Sequence, residues 1–156
     1  YMSKVYLGLG TNLGNKEENL RAAVQLIEKQ IGKVISLSAF YATAPWGFDS
    51  DNTFLNAAAC VETTLSPEDV LTSTQQIERD MGRTKKSAGG IYSDRLIDID
   101  ILLYDDLCML LPNLVVPHPL MHKRDFVMRP LAEIAPYLTH PTLHKTIKEL
   151  AASLGL

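Results

Sequence analysis

Only two of the 156 residues are cysteine and only one is tryptophan. Cys60 and Cys108 are too few to staple a secreted fold, and their scarcity fits a reducing compartment; Cys60, inside an apolar run, reads as a small core residue. Long hydrophobic runs are missing as well, none approaching the roughly 20 residues of a membrane span, and no charged-then-apolar leader opens the chain. Basic charge is not in excess: 15 Lys and Arg face 18 Asp and Glu, a net charge of −3. That balance lacks the electrostatic footprint that phosphate-backbone binding needs, so nucleic acid is not an expected partner. The expectation is a cytoplasmic protein that enters no membrane. With 46% hydrophobic residues the chain can bury a substantial core. No repeat, linker or low-complexity stretch divides it, so one domain is expected over 2–156, with Tyr1 ahead of the native start at Met2. Nothing in the sequence sets an oligomeric state.

What the chain does have is Arg95-Leu-Ile-Asp98-Ile-Asp100-Ile-Leu-Leu-Tyr104. Strand side chains alternate between faces, so Asp98 and Asp100 share one face, with Cα atoms roughly 6.5 to 7 Å apart, while Ile97, Ile99 and Ile101 take the other. A pair of like charges at the rim of a core calls for a cation. Carboxylates are hard oxygen ligands, and Mg²⁺ takes one or two of them while keeping other positions for water and substrate phosphates. The loop before the strand, Arg83 to Asp94, holds Lys85, Lys86 and two adjacent glycines and is far longer than a helix-to-strand connection requires. It suits a lid over anionic phosphates. Carboxylates, metal and basic residues together are phosphoryl-transfer equipment; the competing reading is a half-exposed strand whose aspartates face water.

Lys4 to Gly10 alternates as a strand and ends in Gly8-Leu-Gly-Thr-Asn-Leu-Gly14, which has the wrong glycine spacing for a dinucleotide loop and reads as a tight strand-to-helix turn. Asn15 with Glu18 opens a helix with Leu20, Ala23, Val24, Ile27 and Ile31 at helical spacing. Val34 to Thr43 reads as a second strand and Phe54 to Thr64 as a third, with Asn56 its lone amide. The loop between them carries Trp46 and Phe48, aromatics that either plug the core edge or wall a flat-ligand pocket. Ser66 and Pro67 open a second helix ending at Gly82. With the Asp-bearing strand last, the order is βαββαβ: an α+β, ferredoxin-like antiparallel sheet with helices packed on it. A short helix between Pro130 and Pro136 and a terminal helix near Lys145 to Leu154 form a C-terminal helical extension. His118 and His122 stand four apart, but prolines flank His118 and no Glu accompanies it, so zinc is not expected. No histidine is conspicuous beside the Asp-bearing strand.

Gly8-Leu-Gly-Thr-Asn-Leu-Gly, Phe54-Leu-Asn-Ala-Ala, Gly82-Arg83, Arg95-Leu-Ile-Asp-Ile-Asp-Ile-Leu and Val116-Pro-His-Pro with Arg124-Asp-Phe, in this order, make the chain from Lys4 to about Pro136 resemble the 6-hydroxymethyl-7,8-dihydropterin pyrophosphokinases of folate biosynthesis. The resemblance implies transfer of the β,γ-diphosphoryl unit of ATP to the hydroxymethyl oxygen of a reduced pterin, releasing AMP. It implies that Asp98 and Asp100 hold two Mg²⁺ ions and that Arg83 and Arg95 neutralise phosphate charge. Gln75, Glu78, Lys85, Ile101, His118 and Arg124 match positions around ATP. The pterin would lie between Phe54 and Phe126, with Asn56 reading its polar edge and Thr43, Ala44 and Trp46 completing the pocket. The lid tryptophan of some members has Tyr92 as its nearest counterpart. The rival readings are a two-metal nucleotidyl transferase or phosphodiesterase using the same carboxylates, and a non-enzymatic ferredoxin-like binding module.

Overall fold

The computed structural model describes residues 1–43, 53–82 and 96–156. Strand β1 (Ser3–Thr11) buries Val5, Leu7 and Leu9 on one face, as their alternation requires. Gly8 and Gly10 belong to this strand; only Gly14, at φ 60°, lies in the turn that follows. Helix α1 (Lys16–Gln30) starts where Asn15 accepts the Glu18 N–H at 3.2 Å, and buries Leu20, Ala23 and Ile27 completely. Full burial of a leucine or isoleucine contributes about 1.5–3 kcal/mol. Packing therefore outweighs the cap, whose loss costs about 1 kcal/mol.

The expected second strand is two strands, β2 (Lys33–Leu37) and β3 (Tyr41–Thr43). Ser38 makes the break: its N–H donates to the Ala58 carbonyl, while its hydroxyl accepts the Ala58 N–H and donates to the Ala39 carbonyl. Strand β4 (Phe54–Thr63) pairs with both. Helix α2 (Pro67–Gly82) is capped by Ser66, whose Oγ accepts the Asp69 N–H, and buries Val70, Thr74 and Ile77. Strand β5 (Asp98–Tyr104) completes a sheet in the order β2-β4-β1-β5, every pair antiparallel, with β3 also on β4. This is the ferredoxin-like α+β fold read from the element order.

A hairpin that sequence reading does not anticipate follows, β6 (Met109–Leu111) and β7 (Leu114–Val116). Helix α3 (Asp125–Ile134) begins five residues before Pro130, which the sequence places at the start of a helix. Pro130 forgoes one backbone bond to the Phe126 carbonyl, and the burial of Val127, Met128 and Leu131 offsets it. Helix α4 (Ile147–Ala152) is held by a capping box between Thr146 and Glu149.

The helices divide the core in two. Helices α1 and α2 cover Val5, Leu7, Ala57, Ala59, Ile99 and Ile101 on one face of the sheet. Helices α3 and α4 cover Ala58, Leu102 and Leu103 on the other, with Met121, Met128, Leu131 and Ile147 between. A register shift at Tyr6 and Leu7 turns both Leu102 and Leu103 toward the second face.

Candidate active site

Asp98 and Asp100 are exposed and share a face of β5, while Ile97, Ile99 and Ile101 are buried. Antiparallel register extends that face across the sheet. Gly10 lies between Asp98 and Asn56, and Gly8 between Asp100 and Ala58. On the far side of β4, Tyr41 pairs with Asn56 and Thr43 with Phe54. Because Ala58 packs under α3 and α4, the aspartates, the two glycines, Asn56, Phe54, Thr43 and Tyr41 all belong to the side of the sheet that α3 covers.

The glycines make the centre of that face low. A Cβ on Gly10 would come within 2.9 Å of Asn56 Oδ1 and 4.0 Å of Phe54 Cδ1. The Asn56 amide and the Phe54 ring therefore both overhang Gly10. Asn56 is only 5% exposed and donates from Nδ2 to Thr43 Oγ1 at 3.0 Å. That bond leaves Oδ1 turned over the floor. Phe126 stands in the first turn of α3, 38% exposed, with the Arg124 guanidinium 5.7 Å from its ring centroid, an arrangement that fixes the ring by cation–π attraction.

Sequence reading finds no conspicuous histidine beside the Asp-bearing strand to act as general base, yet the fold brings one residue of the expected ATP set, His118, against that strand. His118 donates its backbone N–H to the Leu102 carbonyl of β5 at 2.9 Å, following the cis peptide between Val116 and Pro117. Its Nδ1 accepts the Leu120 N–H at 3.2 Å, so the neutral ring carries its proton on Nε2. Burial pushes this imidazole below its ordinary range, the nearby Asp100 carboxylate pulls it back up, and the Arg124 charge lowers it further. His118, Asp100 and Arg124 are thus brought within electrostatic reach of one another.

On the outer edge of β5 the Glu78 carboxylate accepts the Ile99 N–H at 2.8 Å, tying α2 to the strand between its two aspartates. Gln75, one turn earlier, is exposed. Ile101 points into the core beneath α1 and α2, so only its backbone can meet a ligand. Ala44, Trp46, Arg83, Lys85, Tyr92 and Arg95 lie outside the described residues.

Two exposed carboxylates on one face fit Mg²⁺ by donor type. Among the described residues no group of three or more His, Cys, Asp or Glu is placed to hold a metal ion. Sequence reasoning missed the floor itself. Its signal was available: Gly8 and Gly10 sit at period two within the Val5, Leu7, Leu9 alternation, the mark of a strand that something approaches closely.

A model of the family described as 7,8-dihydro-6-hydroxymethylpterin-pyrophosphokinase (HPPK) matches residues 6–136. A Porphyromonas gingivalis protein named 2-amino-4-hydroxy-6-hydroxymethyldihydropteridine pyrophosphokinase is 50% identical over 141 residues, covering 90% of this chain and 95% of that one. An Aquifex aeolicus protein of the same name is 38% identical over 148 residues, covering 95% and 90%. The solved structure of wild-type Plasmodium falciparum HPPK-DHPS superimposes with a TM-score of 0.81 at 19% identity, covering 99% of this chain and 45% of that one, a likeness of fold alone.

Proposed function

The chain belongs to the 7,8-dihydro-6-hydroxymethylpterin-pyrophosphokinase family, and from that membership we propose that it transfers the β,γ-diphosphoryl group of ATP to the hydroxymethyl oxygen of 6-hydroxymethyl-7,8-dihydropterin, releasing AMP, as a step of folate biosynthesis. One observation supports the placement of both substrates above the rest: the row Asn56, Gly10, Asp98 across three neighbouring strands. Two inter-strand spacings separate its ends by roughly 9.5 Å. A bicyclic pterin laid over the glycine spans that distance, its polar edge at Asn56 and its hydroxymethyl arm toward the carboxylates.

In this reading Phe54 and Phe126 hold the ring between them, and Asn56 reads its amide-like edge while bonded to Thr43. The backbone of Ala44 to Trp46 completes the slot. Asp98 and Asp100 hold two Mg²⁺ ions, which when bound neutralise the polyphosphate and polarise the acceptor oxygen. His118, neutral and with its proton on Nε2, donates a hydrogen bond to a phosphate oxygen, and Arg124 adds positive charge beside it. Gln75, Glu78, Lys85 and the Ile101 backbone bound the nucleotide. Arg83 and Arg95 act on the charge that develops as the bond between the α and β phosphorus atoms breaks. Glu78 also holds β5 by the Ile99 amide, so part of its effect is exerted through the aspartates.

The same reading makes the chain a single-domain cytoplasmic enzyme of small-molecule substrates. Its net charge of −3 supports the exclusion of nucleic acid, and among the described residues no helix is long and apolar enough to cross a membrane. The test is a chromatographic assay with ATP, Mg²⁺ and the reduced pterin. AMP should appear in equal amount with the pterin diphosphate, and not at all without pterin. ADP as the nucleotide product, or AMP with free pyrophosphate regardless of pterin, would falsify the assignment in favour of an ordinary kinase or a phosphodiesterase.

A further inference from the structure

Glu133 is an exposed carboxylate near the end of α3, yet it accepts hydrogen bonds from a different layer of the protein. The Ala39 N–H donates to both of its oxygens, at 3.1 and 3.2 Å, and the Tyr41 hydroxyl donates to Oε1 at 2.5 Å. Ala39 lies in the break between β2 and β3, where the backbone has left the sheet ladder. Without Glu133 that amide has lost the partner the structure gives it. Tyr41 is the first residue of β3. Its phenol is pushed above the ordinary range by the bond to Glu133 first, then by burial and by the carboxylate's charge, while Arg129 acts the other way.

The positions at either end of this link determine its consequence. Phe126 and Glu133 are seven residues apart on α3, two turns along the same face. Tyr41 and Thr43 are two apart on β3 and share a face; Tyr41 pairs with Asn56 and Thr43 with Phe54. One end of the link is therefore rigidly joined to one aromatic wall of the pterin slot, and the other end to the opposite wall and to the Asn56–Thr43 pair. We propose that Glu133 is a positioning residue that sets the separation of Phe54 and Phe126, clamping α3 to the start of β3 so that the slot accepts a flat bicyclic ring. The proposal rests on the pterin reading of that slot. Glu133 touches no substrate; it acts through the helix and strand it joins.

A clamp of this kind has a kinetic signature that general loosening lacks. Glu133→Ala should raise the KM for the reduced pterin about tenfold, with kcat lowered less than twofold and the KM for ATP unchanged. Tyr41→Phe, which deletes only one hydroxyl, should raise pterin KM about threefold. The double variant should be no worse than Glu133→Ala, because both remove the same link. Glu133→Gln keeps an acceptor oxygen in place and should restore most of the affinity. A pterin KM within twofold of wild type in a folded Glu133→Ala overturns the proposal, and so does an equal rise in both substrates' KM. Should Glu133→Ala fail to fold, Tyr41→Phe decides alone, an unchanged pterin KM overturning the clamp. Failure of the pterin reading shows separately, as wild-type protein that forms no AMP in response to the pterin.

Discussion

Replacing Gly10 with alanine places one methyl group where the structure has least room for it. Its Cβ would lie 2.9 Å from Asn56 Oδ1, closer than any relaxed contact, so the amide must rotate away. Rotation is sterically easy for a side-chain end, but Asn56 is buried and its Nδ2 is bonded to Thr43. Losing that bond costs about 1 kcal/mol, and leaving the buried amide unpaired raises the figure toward about 3. Against this, alanine restricts the unfolded chain and returns about 0.4–1 kcal/mol. The net loss, between about 0 and 2.6 kcal/mol, corresponds to a fall in Tm of up to roughly 10 °C for a chain of this size. The functional effect is sharper, because Asn56 is assigned to the pterin's polar edge. One displaced hydrogen-bonding edge weakens binding by about 1 kcal/mol, or about five- to tenfold in pterin KM. Gly8→Ala is the internal control: its Cβ would lie 3.5 Å from Leu102 Cδ1, an ordinary contact, so stability should hold or rise slightly and pterin KM should stay within twofold. Urea unfolding and steady-state kinetics on the two variants decide the matter. Equal behaviour of Gly8→Ala and Gly10→Ala would refute the floor-and-amide geometry.

Asp98→Ala and Asp100→Ala should each cut turnover by on the order of 10³, with the protein still folded by circular dichroism; near-wild-type turnover at saturating Mg²⁺ and ATP would remove the metal assignment. Arg83→Ala and Arg95→Ala should lower kcat more than they weaken ATP binding measured by titration calorimetry, whereas loss confined to affinity reassigns them to ground-state binding. His140 is buried, accepts the Thr142 and Leu143 N–H groups at Nδ1, and is held below its ordinary value of 6.5 by burial, with His122 and His144 adding to the shift. The folded state therefore binds fewer protons than the unfolded one, so the stability linked to this group is complete above that value and is lost as pH falls through the lower folded one. Wild type should lose stability to urea between pH 7.5 and pH 5, and His140→Asn, which keeps an acceptor near Nδ1, should lose less; parallel curves would contradict the linkage.

Local signals carried into the fold wherever a few neighbouring residues settle the outcome. The Asn15 side chain accepts the Glu18 N–H and the Ser66 hydroxyl the Asp69 N–H, each satisfying an orphan amide of a first helical turn, and both helices start there. The alternation around Asp98 and Asp100 survived because Ile97, Ile99 and Ile101 pull one face into the core. Long-range contacts were not legible. Ser38 interrupts a run of β-formers only because the Ala58 backbone, 20 residues away, lies within reach of its hydroxyl. Gly8 and Gly10 look like a turn until Asn56 and the aspartates are seen on either side of them. Helix α3 extends ahead of Pro130 because Val127 and Met128 are buried in the second core, which no local preference announces. The link from Glu133 to Tyr41 joins residues 92 apart. Asp98, Asp100 and Asn56 were therefore legible as residues, and the glycine floor between them only as a structure.

The break at Ser38 also governs what the molecule offers to other molecules of its own kind. A strand continuing from Val34 to Thr43 would leave a ten-residue row of unpaired amides and carbonyls along the rim of the sheet, the template on which chains add edge to edge into aggregates. On this rim, opposite the β5 edge, the outer strand among the described residues is instead β2, five residues long, whose pairing with β4 shifts register between Val34 and Ser36. Beyond the break the rim passes to the three residues of β3, drawn toward α3 by Glu133. An incoming strand on this rim meets two short segments and no continuous ladder, so the link from Glu133 to the break, proposed above to set the slot, also shortens the template this edge offers to another chain.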